Sequence, residues 1–368
     1  MSELSYLEKL LDGVEVEWLP LSGLARIRNG KDHKSLSEGE FPVYGSGGIM
    51  RYVDTYAYNK PSVLIPRKGS LGNLFFVNVP FWTVDTIFYT EIDEAQIRPK
   101  YLYYFLTTVG LGEMNQAGGV PSQTQSVLNK LKIPIPCPDN PEKSLAIQSE
   151  IVRILDKFTA LTAELTAELN MRKKQYNYYR DQLLNLEGRE NTREMRIGDI
   201  YDFQYGTGNT IPKSGGQYPV YGSNGIVGSH DKYNSEDSPV IGHIGAYAGI
   251  VNWGQGKHFV TYNGVICRHK SKEVLQKYAY YLLLLQDFGS KSNSASQPFV
   301  SYNILNAPIV LVPPLQEQAR IVAILDKFDT LTNSITEGLP REIELRQKQY
   351  EYYRDLLFSF PKPETVSN

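Results

Sequence analysis

The sequence predicts an α+β fold, with two mixed α/β domains in a pseudo-two-fold arrangement, separated by two long α-helices that form an antiparallel coiled coil. The first observation is a repeat, because IVRILDKFTALT (151–162) returns as IVAILDKFDTLT (321–332) with nine of twelve positions identical. The second is that apolar residues in both copies recur at alternating spacings of three and four, the seam of a coiled coil. The third is that each copy follows about 130 residues rich in Gly, Pro, Tyr and β-branched residues, a composition typical of strands joined by turns.

The repeat extends over most of the chain. RKKQYNYYRDQLLN (172–185) returns as RQKQYEYYRDLLFS (346–359), and FPVYGSGGI (41–49) returns as YPVYGSNGI (218–226). The offsets lie between 170 and 178 residues, so the period is that of a domain and not of a solenoid unit. We therefore expect a first domain at 1–144, a central spacer helix at 145–187, a second domain at 188–314, C-terminal spacer helices at 315–360 and a tail at 361–368.

Each domain is predicted to contain short strands and one helix near its end. The runs SVLIP, NLFFVNV and TIFYTEI of the first domain have the composition of strands. The helices are expected to begin near Arg98 and Glu273 and to end at a glycine, as helices commonly do. The Pro-rich stretches at 133–141 and 310–314 are expected to be hinges.

The two long helices are expected to bury their apolar seams against each other. The first, from about Leu145 to Leu186, would be roughly 60 Å long at 1.5 Å per residue. The second contains four extra residues, with Gly338 and Pro340 among them, so we expect a break near 338–340. The alternative is that each stripe belongs to an ordinary domain core. The seam residues are Ile151, Ile154, Phe158, Leu161 and Leu165 in the first helix, and Ile321, Ile324, Phe328, Leu331 and Ile335 in the second.

The composition is that of a globular protein without a strong charge bias. The 368 residues carry a net charge of −2 and the pI is about 6.3, so whole-chain electrostatics give no sign of a nucleic-acid partner. No apolar run approaches the roughly 20 residues that span a membrane, and the N-terminus lacks the features of a signal peptide. Cys137 and Cys267 lie in unlike contexts, which favours neither a disulfide framework nor a zinc site. We therefore expect a cytoplasmic protein.

Several segments together resemble the specificity subunit of type I restriction-modification systems. They are VPPLQEQARIVAILDKFDTL (312–331), SQPFVSYNIL (296–305) and their looser first copies, LAIQSEIVRILDKF (145–158) and QTQSVLNKL (123–131). The resemblance implies two target-recognition domains, each contacting one half of a bipartite double-stranded DNA site, with a helical spacer that sets the gap. It also implies partners, namely two modification (methyltransferase) subunits and restriction (motor-nuclease) subunits. S-adenosylmethionine, ATP and Mg would then be bound only by those partners.

The chain is expected to be non-catalytic. An adenine methyltransferase needs an Asn/Asp-Pro-Pro-aromatic tetrapeptide, and the nearest string, at 306–309, lacks the second proline and the aromatic residue. The sequence has no Gly-x-x-x-x-Gly-Lys-Ser/Thr phosphate loop. The five histidines show no metal-binding spacing, and the acids at 139 and 142 lie in an expected hinge. We therefore predict no catalytic residue, no metal site and no cofactor in this chain.

The DNA contacts are predicted in loops flanked by glycine, where the backbone can approach the duplex closely. For each residue a purely structural role is as good an explanation as a base contact. Tyr44 and Tyr221 are equivalent, which favours packing or a phosphate hydrogen bond, whereas Arg67 and His243 differ and are better candidates for specificity. The candidates are Lys31, Lys34, Tyr44, Ser46, Arg51, Arg67, Lys68 and Ser70 in the first copy, and Thr207, Asn209, Lys213, Tyr221, Ser223, Asn224, His243, Tyr247, Lys291, Asn293, Ser296 and Gln297 in the second.

Two tyrosine clusters near the helix ends are predicted to dock the modification subunits, because they carry more aromatic surface than a two-helix seam can cover. Packing against the protein's own domains is an equally good explanation. The clusters are Tyr176, Tyr178 and Tyr179, and Tyr350, Tyr352 and Tyr353. Two other functions stay open, namely a scaffold whose repeated domains bind proteins or glycans, and a methyltransferase fused to its recognition unit.

Overall fold

The computed structural model describes residues 6–11, 13–114, 121–208, 211, 215–292, 297–334 and 336–361. The chain forms two compact units, each with its own sheets and core. Unit 1 consists of Met1–Thr166 and Glu342–Asn368, and unit 2 of Ala167–Arg341. The helices are α1 Tyr6–Leu11, α2 Leu21–Leu24, α3 Pro99–Leu106, α4 Gln125–Leu128, α5 Pro141–Leu184, α6 Ile197–Ile200, α7 Gln276–Leu284, α8 Tyr302–Asn306, α9 Leu315–Asn333 and α10 Gly338–Leu357, with a 3-10 turn at Leu111–Glu113.

Strands are the commonest regular element of the two domains. Those of unit 1 are β1 Val16–Pro20, β2 Ala25–Asn29, β3 Phe41–Gly45, β4 Gly48–Val53, β5 Ser62–Pro66, β6 Phe75–Val77, β7 Trp82–Thr83, β8 Ile87–Ile92 and β9 Lys132–Pro136. Those of unit 2 are β10 Arg193–Arg196, β11 Tyr201–Tyr205, β12 Tyr218–Gly222, β13 Gly225–His230, β14 Ser235–Gly242, β15 Val251–Val260, β16 Gly264–His269 and β17 Ile309–Val312.

Unit 1 has a four-stranded antiparallel sheet in the order β2-β8-β5-β6 and a three-stranded sheet in the order β4-β3-β7. The run SVLIP is strand β5, and it is buried at all five positions. Such a continuous apolar run is expected of a strand covered on both faces. The runs NLFFVNV and TIFYTEI contain β6 and β8 as predicted.

Unit 2 repeats these parts in one six-stranded sheet, ordered β11-β16-β14-β15-β12-β13. The hairpin β12–β13 corresponds to β3–β4, and both have a register shift at the tyrosine that precedes the turn glycine. The first strand of each hairpin also pairs in parallel, β3 with β7 and β12 with β15. The sequence repeat at 41–49 and 218–226 is therefore a repeated hairpin with the same neighbours.

The expected hinges are strands. β9 pairs antiparallel with β1 along five residues, and β17 pairs with β10 along four. Pro134 and Pro136 lie in the two-stranded ladder of β9, where fewer backbone N–H groups are required than in a central strand, whereas Pro313 and Pro314 directly follow β17. Only 137–140 and 313–314 remain as connections, so α5 begins at Pro141 rather than near Leu145 and continues for 44 residues to Leu184.

The helix near the end of each domain is shorter than expected. α3 ends at Leu106 and α7 at Leu284, whereas the glycines predicted to cap them are Gly110 and Gly289. Gly110 has a φ of 70° and begins the 3-10 turn that follows α3. The glycines therefore belong to the next turn and not to the helix end.

The break in the second long helix lies between Asn333 and Gly338, slightly before the expected position. Gly338 has a φ of +82°, and a Cβ there would lie 2.3 Å from the carbonyl oxygen of Thr330. Pro340 is the third residue of α10, where its missing N–H costs nothing because first-turn amides lack an intrahelical acceptor. Glycine at 338 therefore permits the close approach at the break, and Pro340 is accommodated by the new helix.

The first seam residues of each long helix pack into the domain that the helix follows. Ile151 belongs to the core of unit 1, together with Tyr101 and Phe105 of α3. Ile321 belongs in the same way to the core of unit 2. Leu155 and Leu325 are fully buried beside them, although they lie outside the predicted seam. At the start of each long helix, the apolar stripe therefore belongs to an ordinary domain core, which is the alternative given in the sequence analysis.

Equivalent polar contacts attach the helices to their domains. In unit 1, Asp156 of α5 accepts a hydrogen bond from the Tyr104 hydroxyl at 2.6 Å and pairs with Lys100 at 2.7 Å. In unit 2, Asp326 of α9 has the same partners, Tyr281 and Lys277. Gln148 and Gln318, both fully buried, accept the backbone N–H of Arg98 and Leu275 at 2.8 and 2.7 Å.

Beyond the domain cores, the helices contact each other within each unit. In unit 1, α5 and α10 run antiparallel, since the core contains Leu155 and Leu357 and the next aromatic contact joins Phe158 to Tyr353. In unit 2, Phe328 of α9 stacks against Tyr179 of α5. The helix pairing predicted from the seams therefore begins at the phenylalanines. Among the other seam positions, Leu161 is 37% exposed and Ile335 lies outside the described residues.

Candidate nucleic-acid interface

Four loops of unit 1 meet at the end of the β3–β4 hairpin, and we call them loop cluster 1. They are 46–47, 67–73, 84–86 and 121–123. The backbone N–H of Ser46 donates to Thr86 Oγ1 at 3.3 Å, which ties the hairpin turn to the neighbouring loop. Three backbone hydrogen bonds join the others, from Arg67 N to Thr86 O (2.8 Å), from Gly69 N to Pro121 O (2.9 Å) and from Gln123 N to Arg67 O (3.0 Å).

Unit 2 assembles the same arrangement from 223–224, 243–250, 261–263 and 297–300, and we call it loop cluster 2. The Ser223 hydroxyl lies 2.9 Å from the carbonyl oxygen of Ile244 and 3.0 Å from that of Asn263, so it is tied to both loops. The three backbone hydrogen bonds are equivalent to those of unit 1, from His243 N to Asn263 O (2.8 Å), from Gly245 N to Pro298 O (2.8 Å) and from Val300 N to His243 O (2.9 Å). The two clusters therefore share a backbone frame although most of their side chains differ.

Half of the candidate side chains of unit 1 are exposed. Lys31, Lys34, Lys68 and Ser70 are exposed, and the nearest acid to Lys68 is Asp85 at 3.9 Å. The other four are half-buried, namely Ser46 in the hairpin turn and Arg51, Arg67 and Tyr44, which have contacts of their own. Arg51 donates to the carbonyl oxygen of Leu36 at 3.1 Å, the Arg67 guanidinium lies 5.9 Å from the centre of the Phe88 ring, and Tyr44 packs against Phe75 and Phe81. Arg51 and Tyr44 thus have structural roles, whereas Arg67 has no charged partner in the described structure.

Two candidates of unit 2 are buried. His243 is 5% exposed, and its ring centre lies 4.2 Å from that of Tyr205. Tyr221 is 6% exposed and donates to the carbonyl oxygen of Trp253 at 3.3 Å, and burial raises the pKa of its hydroxyl. The burial of both side chains favours a structural role over a base contact, which the sequence had not indicated for His243. Thr207, Asn224, Tyr247, Lys291 and Gln297 are exposed and Ser223 is half-buried, while Asn209, Lys213, Asn293 and Ser296 lie outside the described residues.

A family model described as the type I restriction modification DNA specificity domain matches this chain twice, at residues 14–172 and 189–345. The chain belongs to this family. It is 42% identical to the EcoR124I/EcoR124II specificity subunit of Escherichia coli, with all of both chains covered. It is 38% identical to the EcoprrI specificity subunit of E. coli over 92% of this chain and 93% of the relative.

A solved structure supports the fold. The type I S subunit from M. genitalium matches with a TM-score of 0.66 at 18% identity, covering 95% of this chain and 98% of the other. The family match and the curated relatives favour a DNA-specificity subunit over a scaffold that binds proteins or glycans.

The two clusters of this specificity chain differ most around His243. In unit 2 the rings of Tyr302, Tyr205 and His243 form a stack with centroid distances of 4.2 Å, and Tyr262 lies against His243. The equivalent positions of unit 1, in the same order, carry Gln125, Arg28, Arg67 and Asp85. Sequence reasoning missed Tyr262, which is 47% exposed, although it differs in type from its equivalent. Aromatic side chains thus replace charged and polar ones on the same frame.

The six predicted docking tyrosines fall into three equivalent pairs. Tyr176 is buried in the core of unit 2 and Tyr350 packs against the core of unit 1, so the alternative of packing on the protein's own domains holds for this pair. Tyr179 and Tyr353 stack on Phe328 and Phe158. Tyr178 and Tyr352 are 61% and 64% exposed, and they are the pair best placed to contact a partner.

Neither a metal site nor a membrane span is found in the part of the chain that the structure describes. Within the ranges given above, the His, Cys, Asp and Glu side chains form no group of three or more that could hold an ion. Over the same residues, no helix has the length and apolar character needed to cross a bilayer.

Proposed function

We propose that the two units each read one half of a bipartite double-stranded DNA target for a type I restriction-modification complex. The observation that supports this is the repeated backbone frame, in which three equivalent hydrogen bonds hold loops that carry different side chains. A constant frame with variable side chains is what two modules of one function need when their half-sites differ.

The accessible candidate residues in and beside the two loop clusters are the proposed contacts. In unit 1, Arg67 is the candidate base contact, because a guanidinium can donate two hydrogen bonds to guanine O6 and N7. Lys31, Lys34 and Lys68 are candidates for phosphates, which any cation can neutralise. In unit 2, the exposed members of the candidate set are Thr207, Asn224, Tyr247, Lys291 and Gln297.

The helices are proposed to set the gap between the half-sites. α5 is a continuous helix of 44 residues, roughly 66 Å long at 1.5 Å per residue. Its first part belongs to unit 1 and its last part to unit 2. Because the rise per residue of a helix is fixed, its length determines how far apart its ends lie, much as dimer geometry determines operator spacing.

Modification subunits are proposed to dock on the helices, with Tyr178 and Tyr352 in the contact. Two such subunits would carry S-adenosylmethionine and methylate the DNA, and restriction subunits would use ATP and Mg for cleavage. This chain would supply recognition without catalysis, in the cytoplasm with the DNA.

The test is co-expression with the modification subunits encoded beside it, followed by methylation mapping of the host genome. We expect a motif with two specified half-sites and an unspecified gap of fixed length. Exchanging 188–314 for the same segment of a relative should change one half-site and leave the other unchanged. A contiguous motif, or a change in both half-sites, would contradict the proposal.

A further inference from the structure

The outer faces of the two equivalent hairpins each carry an exposed apolar side chain. Met50 is 59% exposed and Val227 is 52% exposed, and each lies close to the start of the strand that follows the turn. Their neighbours Ile49 and Ile226 are also exposed. Met50 and Val227 are the extra residues at the register shift of each hairpin, so the face of each side chain is assigned from its contacts and not from alternation along the strand. The family match does not account for this repeated pair.

The inner face is identified by the tyrosines. Ile49 pairs with Tyr44 and Ile226 pairs with Tyr221 across their hairpins, and both tyrosine rings pack into their units. Side chains of directly paired residues lie on the same face of the ribbon. The isoleucines therefore lie on the inner face of each hairpin. A Cβ at Gly45 or Gly222 would point to the outer face, because these glycines directly follow the tyrosines. Met50 and Val227 lie beside those Cβ positions, so they lie on the outer face.

A glycine makes room for each outer side chain. A Cβ at Gly45 would lie 2.7 Å from Met50 Sδ, and a Cβ at Gly222 would lie 3.1 Å from Val227 Cγ1. Met50 and Val227 thus lie back along the ribbon and do not project beyond its tip. Side chains in this position can contact a surface that lies against the outer face of the ribbon, but they cannot be inserted as a wedge between base steps.

We infer that Met50 and Val227 are specificity contacts that pack against the 5-methyl group of a thymine, one in each half-site. The inference rests on the proposed function. Each hairpin turn is tied to its loop cluster through Ser46 or Ser223. A two-stranded ribbon fits the major groove, where the thymine methyl is the apolar group at the base edges. An exposed apolar side chain on a ribbon in the major groove can therefore make its apolar contact with a thymine methyl group.

The test measures binding of the full chain, assembled with its modification subunits, to duplexes that contain the mapped target. Each thymine of the half-sites is replaced in turn by uracil, which lacks only the methyl group. We expect one position per half-site at which uracil weakens binding about fourfold, the effect of losing one buried methyl-sized group. In Met50→Ala the first position should lose its sensitivity to uracil, and in Val227→Ala the second should.

The matched controls are Ile49→Ala and Ile226→Ala, which remove a similar apolar side chain from the inner face of the same ribbon. They should leave the uracil effect at its wild-type size. The inference is overturned if no thymine is sensitive to uracil, or if the sensitivity persists in Met50→Ala and Val227→Ala. Either result can occur while methylation mapping still yields a bipartite motif, so failure of this inference is separate from failure of the proposed function.

Discussion

The ring of Phe158 stacks on that of Tyr353, with centroids 5.3 Å apart and planes inclined by 23°. Phe328 and Tyr179 make the equivalent stack at 5.6 Å and 27°. In the sequence repeat Phe158 corresponds to Phe328 and Tyr179 to Tyr353, so each contact joins the first half of one copy to the second half of the other. A reciprocal exchange of this kind is expected of two repeated helices that pair antiparallel.

Removing one of these stacks should destabilise the helix pair. We expect Tyr353→Ala to lower the free energy of unfolding by about 1–2 kcal/mol, because it removes an aromatic pair and part of the apolar burial. Tyr352→Ala is the matched control, since Tyr352 is 64% exposed and its loss should cost no more than about 0.5 kcal/mol. Urea unfolding followed by circular dichroism measures both, and equal effects would show that the stack contributes nothing of its own.

Lengthening α5 should lengthen the gap in the DNA target. Four residues inserted after Thr162 add about 6 Å of helix, the length of roughly two base-pair steps. Methylation mapping should show both half-sites unchanged and the gap one or two base pairs longer. The same four residues inserted in the turn at 187–190, outside the helix, should leave the gap as it was. An unchanged gap in the variant with the lengthened helix would show that α5 does not set the spacing between the half-sites.

Substituting Arg67 should relax recognition at one position of one half-site. We expect Arg67→Ala to weaken binding of the assembled complex by about 1–3 kcal/mol for the cognate base pair, because a bidentate contact to guanine is lost. Arg67→Lys keeps the charge but not the fork of donors, so it should restore affinity without discrimination. Competition binding with all four base pairs at each position measures this. A uniform loss over all sequences would mean that Arg67 contacts phosphate.

Unit 2 should lose stability as the pH falls below about 6.5. His258 is fully buried, with Nδ1 2.8 Å from the Gly256 carbonyl oxygen and Nε2 3.4 Å from Ser238 Oγ. Desolvation lowers the pKa of His258 below its usual 6.5, although Gly256, Asp237 and Glu236 act in the opposite direction. As the pH falls, His258 is therefore protonated in the unfolded chain at a higher pH than in the folded chain. Protonation favours the unfolded state below about pH 6.5 and has no effect on stability well above that pH.

Hydrogen exchange of β14 and β15 at pH 7.5 and 5.5, corrected for the intrinsic rates, measures this change. Desolvation lowers the pKa of His269 in the same unit as well, so His258→Asn should reduce the pH dependence without abolishing it. Protection that is equal at the two pH values in the wild-type chain would contradict the prediction.

The sequence predicted the fold class, the duplication and the long helices because a domain-sized repeat and a heptad stripe are local signals. It missed the partners of those helices, since burial of Ile151 against α3 depends on tertiary contacts between residues distant in the chain. The hinge prediction at 133–141 was wrong because a proline-rich composition does not reveal the pairing that the distant strand β1 supplies. The role of the glutamines at the start of the long helices was not predicted. Gln148 and Gln318 accept equivalent backbone N–H groups although the residues beside them differ between the copies.

The candidate site was predictable only in its location. The loops around Ser46 and Ser223 were identified because glycine and identity between the copies mark them. Which side chains are accessible was not predictable, because His243 and Tyr247 lie in the same loop and only the stack on Tyr205 distinguishes the buried residue from the exposed one.

The end of the chain completes the core of the beginning. The Phe358 ring lies 5.2 Å from that of Tyr101, and the indole N–H of Trp18 donates to the carbonyl oxygen of Pro361 at 2.8 Å. During synthesis, therefore, the interior of unit 1 cannot close until Phe358 has been added to the chain. A nonsense mutation a few codons before Phe358 would therefore damage unit 1, which contains the N-terminal domain, and would leave the core of unit 2 intact.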